Sequence, residues 1–122
     1  MNTQFEILPF AYLLLKEHCF IATINEGVTI RMSEHLKFLE VIKTHFKNNP
    51  FVYIANRKHS YSVDVMLYPI VQSIPNLLGE AIVTHNDHDL YTFEHHFFDK
   101  KPFKKFQVLQ DAIDWGNSLF ID

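Results

Sequence analysis

"SEHLKFLEVIKTHFKNNPFVYIA", residues 33–55, changes its hydrophobic period part-way along, and that change decides the fold. As far as Phe46 the apolar residues recur at helical spacing. At about 100° per residue, Leu36, Phe38, Leu39, Ile42 and Phe46 share one broad face, the pattern of a helix lying on a sheet. Ser33 is the expected N-cap, and Glu34 suits the positive end of the helix dipole. Asn48–Asn49–Pro50 stops the helix, because proline disfavours helical backbone at the residue before it. Residues 51–55 are then almost unbroken in apolar side chains, which predicts a buried strand.

Upstream of this helix, residues 4–8, 11–16 and 20–25 predict three short strands. Pro9 and Glu17–His18 mark the turns between them, and the glycine of "NEG" (25–27) closes the third. Downstream, residues 63–73 have the apolar content of a helix interrupted by Pro69, so two short pieces or a kinked helix are expected. Pro75 to Gly79 turns into a strand at "EAIVT" (80–84). Residues 87–98 predict a helix with Leu90, Phe93 and Phe97 on one side. "FQVL" (106–109) reads as a last strand, followed by a helix capped by Asp111 with Ala112, Trp115 and Leu119 inward. The order βββαβαβαβα predicts the α/β class: a single-domain sandwich over residues 1–122. Its sheet is mixed but mostly parallel, of about six strands, with helices packed on it.

Composition agrees with one folded domain. Of the 122 residues 48% are apolar and 20% charged, which argues against disorder. Twelve Phe and five Tyr foretell a core rich in ring packing. A net charge of −3 has the wrong sign for a nucleic-acid partner. The lone cysteine, Cys19, forms no internal disulfide and suits a reducing, cytoplasmic setting. The apolar run "ILPFAYLLL" (7–15) has no preceding Lys or Arg and ends at Lys16–Glu17–His18, so neither a signal peptide nor a membrane span is expected.

Three stretches, "INEGVTI" (24–30), "FVYIANRKHSYSVD" (51–64) and "FQVLQDAIDWGNSL" (106–119), together with the element order, resemble the SpoIIAA-like (STAS-like) family of small bacterial proteins. The resemblance implies a non-enzymatic domain. Relatives include antagonists of anti-sigma factors, in which a serine at the start of a helix is phosphorylated by a partner kinase. Others are thought to bind small apolar or anionic ligands. The matching region here is Ser60–Tyr61–Ser62, which departs from the family's Asp-Ser-Ser-Gly pattern in having no preceding aspartate and no following glycine. Only the location carries over.

That location is independently attractive. Asn56, Arg57, Lys58, His59, Ser60, Tyr61 and Ser62 follow a central strand, where open α/β sheets place function. Arg57 and Lys58 could hold an anion, helped by helix N–H groups near Ser62. Phosphorylation of Ser60 or Ser62 would add charge beside them and order the loop. The plain alternative is a strand cap: Ser62 or Asp64 caps the next helix, Asn56 bonds a turn, and the two cations are solvated.

Other groups carry less chemistry. Eight histidines suggest a metal, chiefly in "HNDHDLYTFEHHFF" (85–98). On a helix, however, His88 and His95 lie roughly 10.5 Å apart and adjacent His95 and His96 diverge by about 100°. His35 falls on the apolar face of the first helix and reads as a partly buried histidine. Cys19 and His18 are strand neighbours that point apart. No Gly-x-Ser-x-Gly elbow or phosphate-binding glycine loop is present. The lysines of "DKKPFKK" (99–105) read as guards of an edge strand. The sequence therefore predicts a cytoplasmic regulatory or protein-interaction domain with no catalysis, cofactor, metal or nucleic acid, working through the loop at 56–64. Residues 85–91 could extend that surface, and a homodimer is open. The alternative is a carrier or sensor of a small apolar or anionic ligand between the first helix and the sheet. Tyr61, Met66 and Tyr68 would line that pocket, and Arg57 would take a headgroup.

Overall fold

The computed structural model describes residues 3–85 and 101–120. Its elements run β1 (Gln4–Leu8), β2 (Ala11–Leu15), β3 (Cys19–Ile24), β4 (Thr29–Ile30), α1 (Met32–Phe46), β5 (Phe51–Asn56), β6 (Ser62–Val63), α2 (Leu67–Gln72), β7 (Leu77–Val83), β8 (Phe103–Phe106) and α3 (Leu109–Ser118). Six strands form one sheet in the order β1-β2-β3-β5-β7-β8. The first three make an antiparallel meander, with Phe5 opposite Leu14 and Leu13 opposite Ala22. From β3 outward every pairing is parallel. The mixed α/β sandwich expected from the sequence is the architecture found.

Strand alternation distributes the apolar side chains between two cores. On one face, Phe20, Ala22 and Ile24 of β3 and Phe51 of β5 pack with Phe38, Ile42 and Phe46 of α1 and Leu67 of α2. On the other, Cys19, Ile21, Val52, Ile54 and Ala81 pack with Ala112 and Ile113 of α3. Rings join the first core: Phe20 meets Phe38 edge-on at 5.5 Å, and Phe46 stacks on Phe51 at 4.9 Å. In the second, Gly116 lets α3 lie close to the sheet. A Cβ there would stand 3.3 Å from Val52 Cγ1 and 3.4 Å from Cys19 Sγ.

Several local expectations are corrected. Helix α1 starts at Met32 with Arg31, not Ser33, in the cap position. Glu34 does the capping: its carboxylate accepts the Arg31 backbone N–H at 2.8 Å and the Ser33 hydroxyl at 3.0 Å. Those bonds, the backbone one foremost, hold the Glu34 carboxyl below its usual range. Leu36 is 55% exposed, so the buried stripe is His35, Phe38, Ile42 and Phe46. Lys47 then turns the chain with φ 57° ahead of Pro50.

Residues 63–73 hold one short helix, not a kinked one. Pro69 falls in the first turn of α2, where a missing N–H breaks no helical bond. The last strand is "FKKF", not "FQVL": Phe103 to Phe106 pair with Glu80 to Val83. Val108 occupies the N-cap position of α3, which leaves Asp111 in the first turn. Trp115 and Leu119 are half-buried against the second core. The β4–β6 ladder, with Thr29 opposite Ser62 and Ile30 opposite Val63, had no counterpart in the sequence reading. The helix expected at 87–98 and the histidines within it lie outside the described residues.

Candidate functional site

The segment after β5 leaves the carboxyl end of a central parallel strand and is fastened along its length. Asn56 Nδ2 donates to Thr23 Oγ1 at 3.2 Å, tying β5 to β3. The Arg57 and Lys58 backbone N–H groups donate to Val83 and Asn56 carbonyls, each at 2.9 Å. Ser60 N–H donates to the Glu26 carboxylate at 3.0 Å, and Gly27 N–H to the Ser60 carbonyl at 2.8 Å. That clasp needs Gly27, whose φ of 79° is costly for a residue with a Cβ. Ser62 and Asp64 complete the attachment by donating to Val28 and Ile30.

The side chains divide into two sets. Arg57 is not a solvated cation: its guanidinium lies 3.9 Å over the Tyr61 ring and donates to the Tyr61 carbonyl at 3.0 Å. Lys58, His59, Ser60 and Ser62 are exposed. No helix N-terminus reaches Ser62, because α2 starts only at Leu67. The approach to that helix is shaped by Asp64, whose carboxylate accepts the Met66 N–H at 3.1 Å and whose carbonyl accepts that of Leu67 at 2.9 Å. Neither Ser62 nor Asp64 is the cap of α2: Met66 occupies that position, with no side-chain cap bond. His85 is exposed, and the rest of the 85–91 extension lies outside the described residues.

Beneath this loop, between α1, α2 and the sheet, is a partly open cavity of about 50 Å³. Tyr61 and Val63 reach it from the loop, His35, Phe38 and Ile42 from α1, and Leu67, Tyr68 and Val71 from α2. Tyr53 and Glu80, register partners on β5 and β7, form part of its floor. Met66, expected as lining, is instead 68% exposed. His35 is 4% exposed, and its Nε2 has no hydrogen-bond partner among the described residues. Burial pushes its pKa below the usual 6.5, which keeps the imidazole neutral at neutral pH. Buried polar atoms are almost always bonded, and among the described residues this nitrogen at the cavity wall is not. Gln72, one turn beyond Tyr68 on α2, is likewise buried with both amide atoms unbonded among the described residues.

An open groove of about 700 Å³ runs along the outer side of the same two helices, past Leu39, Lys43, Ile70 and Pro75. His35, Ile42 and Ile74 line both spaces and so form the wall between them. A larger concavity of about 1020 Å³, between β1 and α1, is wide open and ringed by Glu6, Glu17 and Glu40. Among the described residues no buried unbonded polar group stands at its wall.

His35 was legible from its helical face, but Glu80 was not singled out. The signal was available: an acid inside an otherwise apolar strand, here 6% exposed. Cysteine chemistry finds no support. Burial pushes the Cys19 thiol up to about 11, while the His18 ring stacks on Phe120 at 3.9 Å. Among the described residues no three His, Cys, Asp or Glu side chains are grouped to hold a metal. None of the described helices is long and apolar enough to cross a membrane.

Comparison with known proteins fixes the fold and stops there. The chain matches the crystal structure of an uncharacterised protein of the DUF3478 family with a SpoIIAA-like fold, from Shewanella loihica PV-4. The TM-score is 0.53 at 14% identity, covering 93% of this chain and 91% of that one. The SpoIIAA-like resemblance read from the sequence is thereby shown at the level of architecture. No family model matches the chain, and no curated protein matches it.

Proposed function

We propose that this chain is a non-enzymatic, cytoplasmic regulatory domain that holds a small, largely apolar ligand between α1, α2 and the sheet. It presents the loop at 56–64 to a protein partner. One observation carries the reading: a single segment serves both places. Tyr61, Val63, Leu67 and Tyr68 line the cavity, while Lys58, His59, Ser60 and Ser62 face solvent on the other side. The period-two alternation of β6 turns Ser62 out and its neighbours in. Whatever sits against Tyr61 is thus one residue from the exposed surface. Ligand that binds the folded state alone also stabilises it, by about 2.7 kcal/mol at a hundredfold excess over Kd.

The serine switch takes a different form from the one read in the sequence. Ser60 N–H is already held by the Glu26 carboxylate, and Arg57 is occupied by Tyr61. A phosphate on Ser60 would stand beside Glu26, so like-charge repulsion would loosen the clasp rather than order it.

The test uses xenon, a small apolar probe, dissolved under pressure with ¹⁵N-labelled protein. Saturable shifts are expected at Phe38, Tyr61 and Tyr68, with the Lys58–Ser62 amides following on the same curve. Shifts at the cavity that leave the loop unmoved would break the link between ligand and docking surface. An absence of saturable shifts at the cavity would remove the ligand site itself.

A further inference from the structure

The cavity's polar groups restrict what it can hold. Its lining includes no lysine or arginine, and Arg57 is engaged with Tyr61. Glu80 brings a buried carboxyl group to the sheet wall. An anionic head would leave water for a site whose described lining holds an acid and neither lysine nor arginine, which is unfavourable. Besides the phenols of Tyr53, Tyr61 and Tyr68, which have interactions of their own, the lining carries His35 Nε2, which comes from α1 and lacks a partner among the described residues. In a neutral imidazole this nitrogen donates or accepts according to tautomer. A hydroxyl does both, so it satisfies His35 in either form and adds no charge to the interior.

Size narrows the class further. A water occupies about 30 Å³ of liquid and a benzene-binding cavity roughly 150 Å³. The 50 Å³ here is a third of that cavity and so takes a small head group, not an aromatic ring. Ile42 and Ile74 separate this cavity from the groove of about 700 Å³, so a ligand longer than the cavity would part them to lay its remainder there. Ile70, Leu39 and Leu78 line that groove and suit an alkyl chain.

We propose that the site binds the hydroxyl end of an aliphatic alcohol, hydrogen-bonded to His35 Nε2, with the alkyl chain running between α1 and α2. The proposal rests on the cavity being a ligand site, as argued above, and adds the head group and the chain. It departs from the anionic ligand that the family resemblance allowed, and it removes Arg57 from the binding role.

The experiment compares three probes with the same chain: 1-butanol, butyrate and butylammonium, each titrated into wild-type protein carrying ¹⁵N-histidine at pH 7.5. The expected result is a saturable shift of the His35 imidazole resonances with 1-butanol, at least tenfold weaker with either ion. Equal or tighter binding of butyrate or butylammonium would overturn the head-group assignment while leaving a ligand site in place. Saturation by 1-butanol without any movement of His35 would place the alcohol elsewhere and overturn it too. Should xenon fill the cavity and none of the three probes bind, this inference falls alone. Should xenon fail as well, both readings fall.

Discussion

Replacing His35 by leucine should stabilise the protein, the reverse of what truncating a buried core residue normally does. An unbonded polar atom in the interior costs about 1–3 kcal/mol. Leucine removes that atom, suits its neighbours Phe38 and Ile42, and fits a helix better than histidine does. A net gain of about 1–2 kcal/mol is expected at pH 7.5 after imperfect repacking is allowed for. For a chain of this length that corresponds to a rise in Tm of roughly 3–12 °C.

The gain should also depend on pH, with a definite sign. The unfolded chain takes up a proton on His35 near 6.5, whereas burial depresses the folded value. As pH falls through 6.5 the unfolded state binds more protons, so wild-type stability declines by up to about 1.4 kcal/mol per pH unit. Leucine cannot contribute that slope, and its advantage should widen between pH 7.5 and 5.5. Glu80, which lines the same cavity, is present in both proteins and cancels in the difference. Urea melts of both proteins across this range are the assay. A leucine variant less stable than wild type at pH 7.5 would refute the reasoning, since His35 would then be making a bond that supports the fold. An advantage that does not change with pH would refute the burial argument.

Three further outcomes follow from the geometry. Arg57→Ala removes a carbonyl hydrogen bond and a cation–π contact, and urea melts should show a loss of about 1–2 kcal/mol. Gly116→Val pushes branched carbons into Val52 and Cys19, where a Cβ alone is already tight, and should lower stability by about 1–3 kcal/mol. Cys19, with its thiol pKa raised to about 11, should resist iodoacetamide at pH 8 in native protein and react promptly once urea unfolds it.

The parts of this fold that follow one period were legible in the sequence. The meander, α1 and β5 each carry an unbroken alternation or stripe, and Pro9 and Pro50 mark two of their ends. The misreadings came where two principles compete. Ser33 is the better N-cap by type, yet Glu34 can reach back to Arg31 and did so. "FQVL" reads as the last strand on its apolar residues, but Leu109 belongs to α3, and lysines read as guards of an edge strand lie in that strand itself, "FKKF". The β4–β6 ladder is two residues long and leaves no period to detect.

The site was legible in a similar measure. His35 was placed on the face of α1 that is buried. What sequence spacing cannot convey is that Arg57 folds back on Tyr61, or that Glu80 and His35 line one cavity from a strand and a helix 45 positions apart (80 − 35).

The most direct test of the central claim is native mass spectrometry on protein purified gently from its own host. The expected spectrum shows a fraction of the chain carrying a small-molecule increment that disappears on denaturation and is lost from a variant with the cavity filled, such as Val63→Phe. A bare chain, or an increment that survives filling of the cavity, would contradict the claim that α1, α2 and the sheet enclose a ligand site.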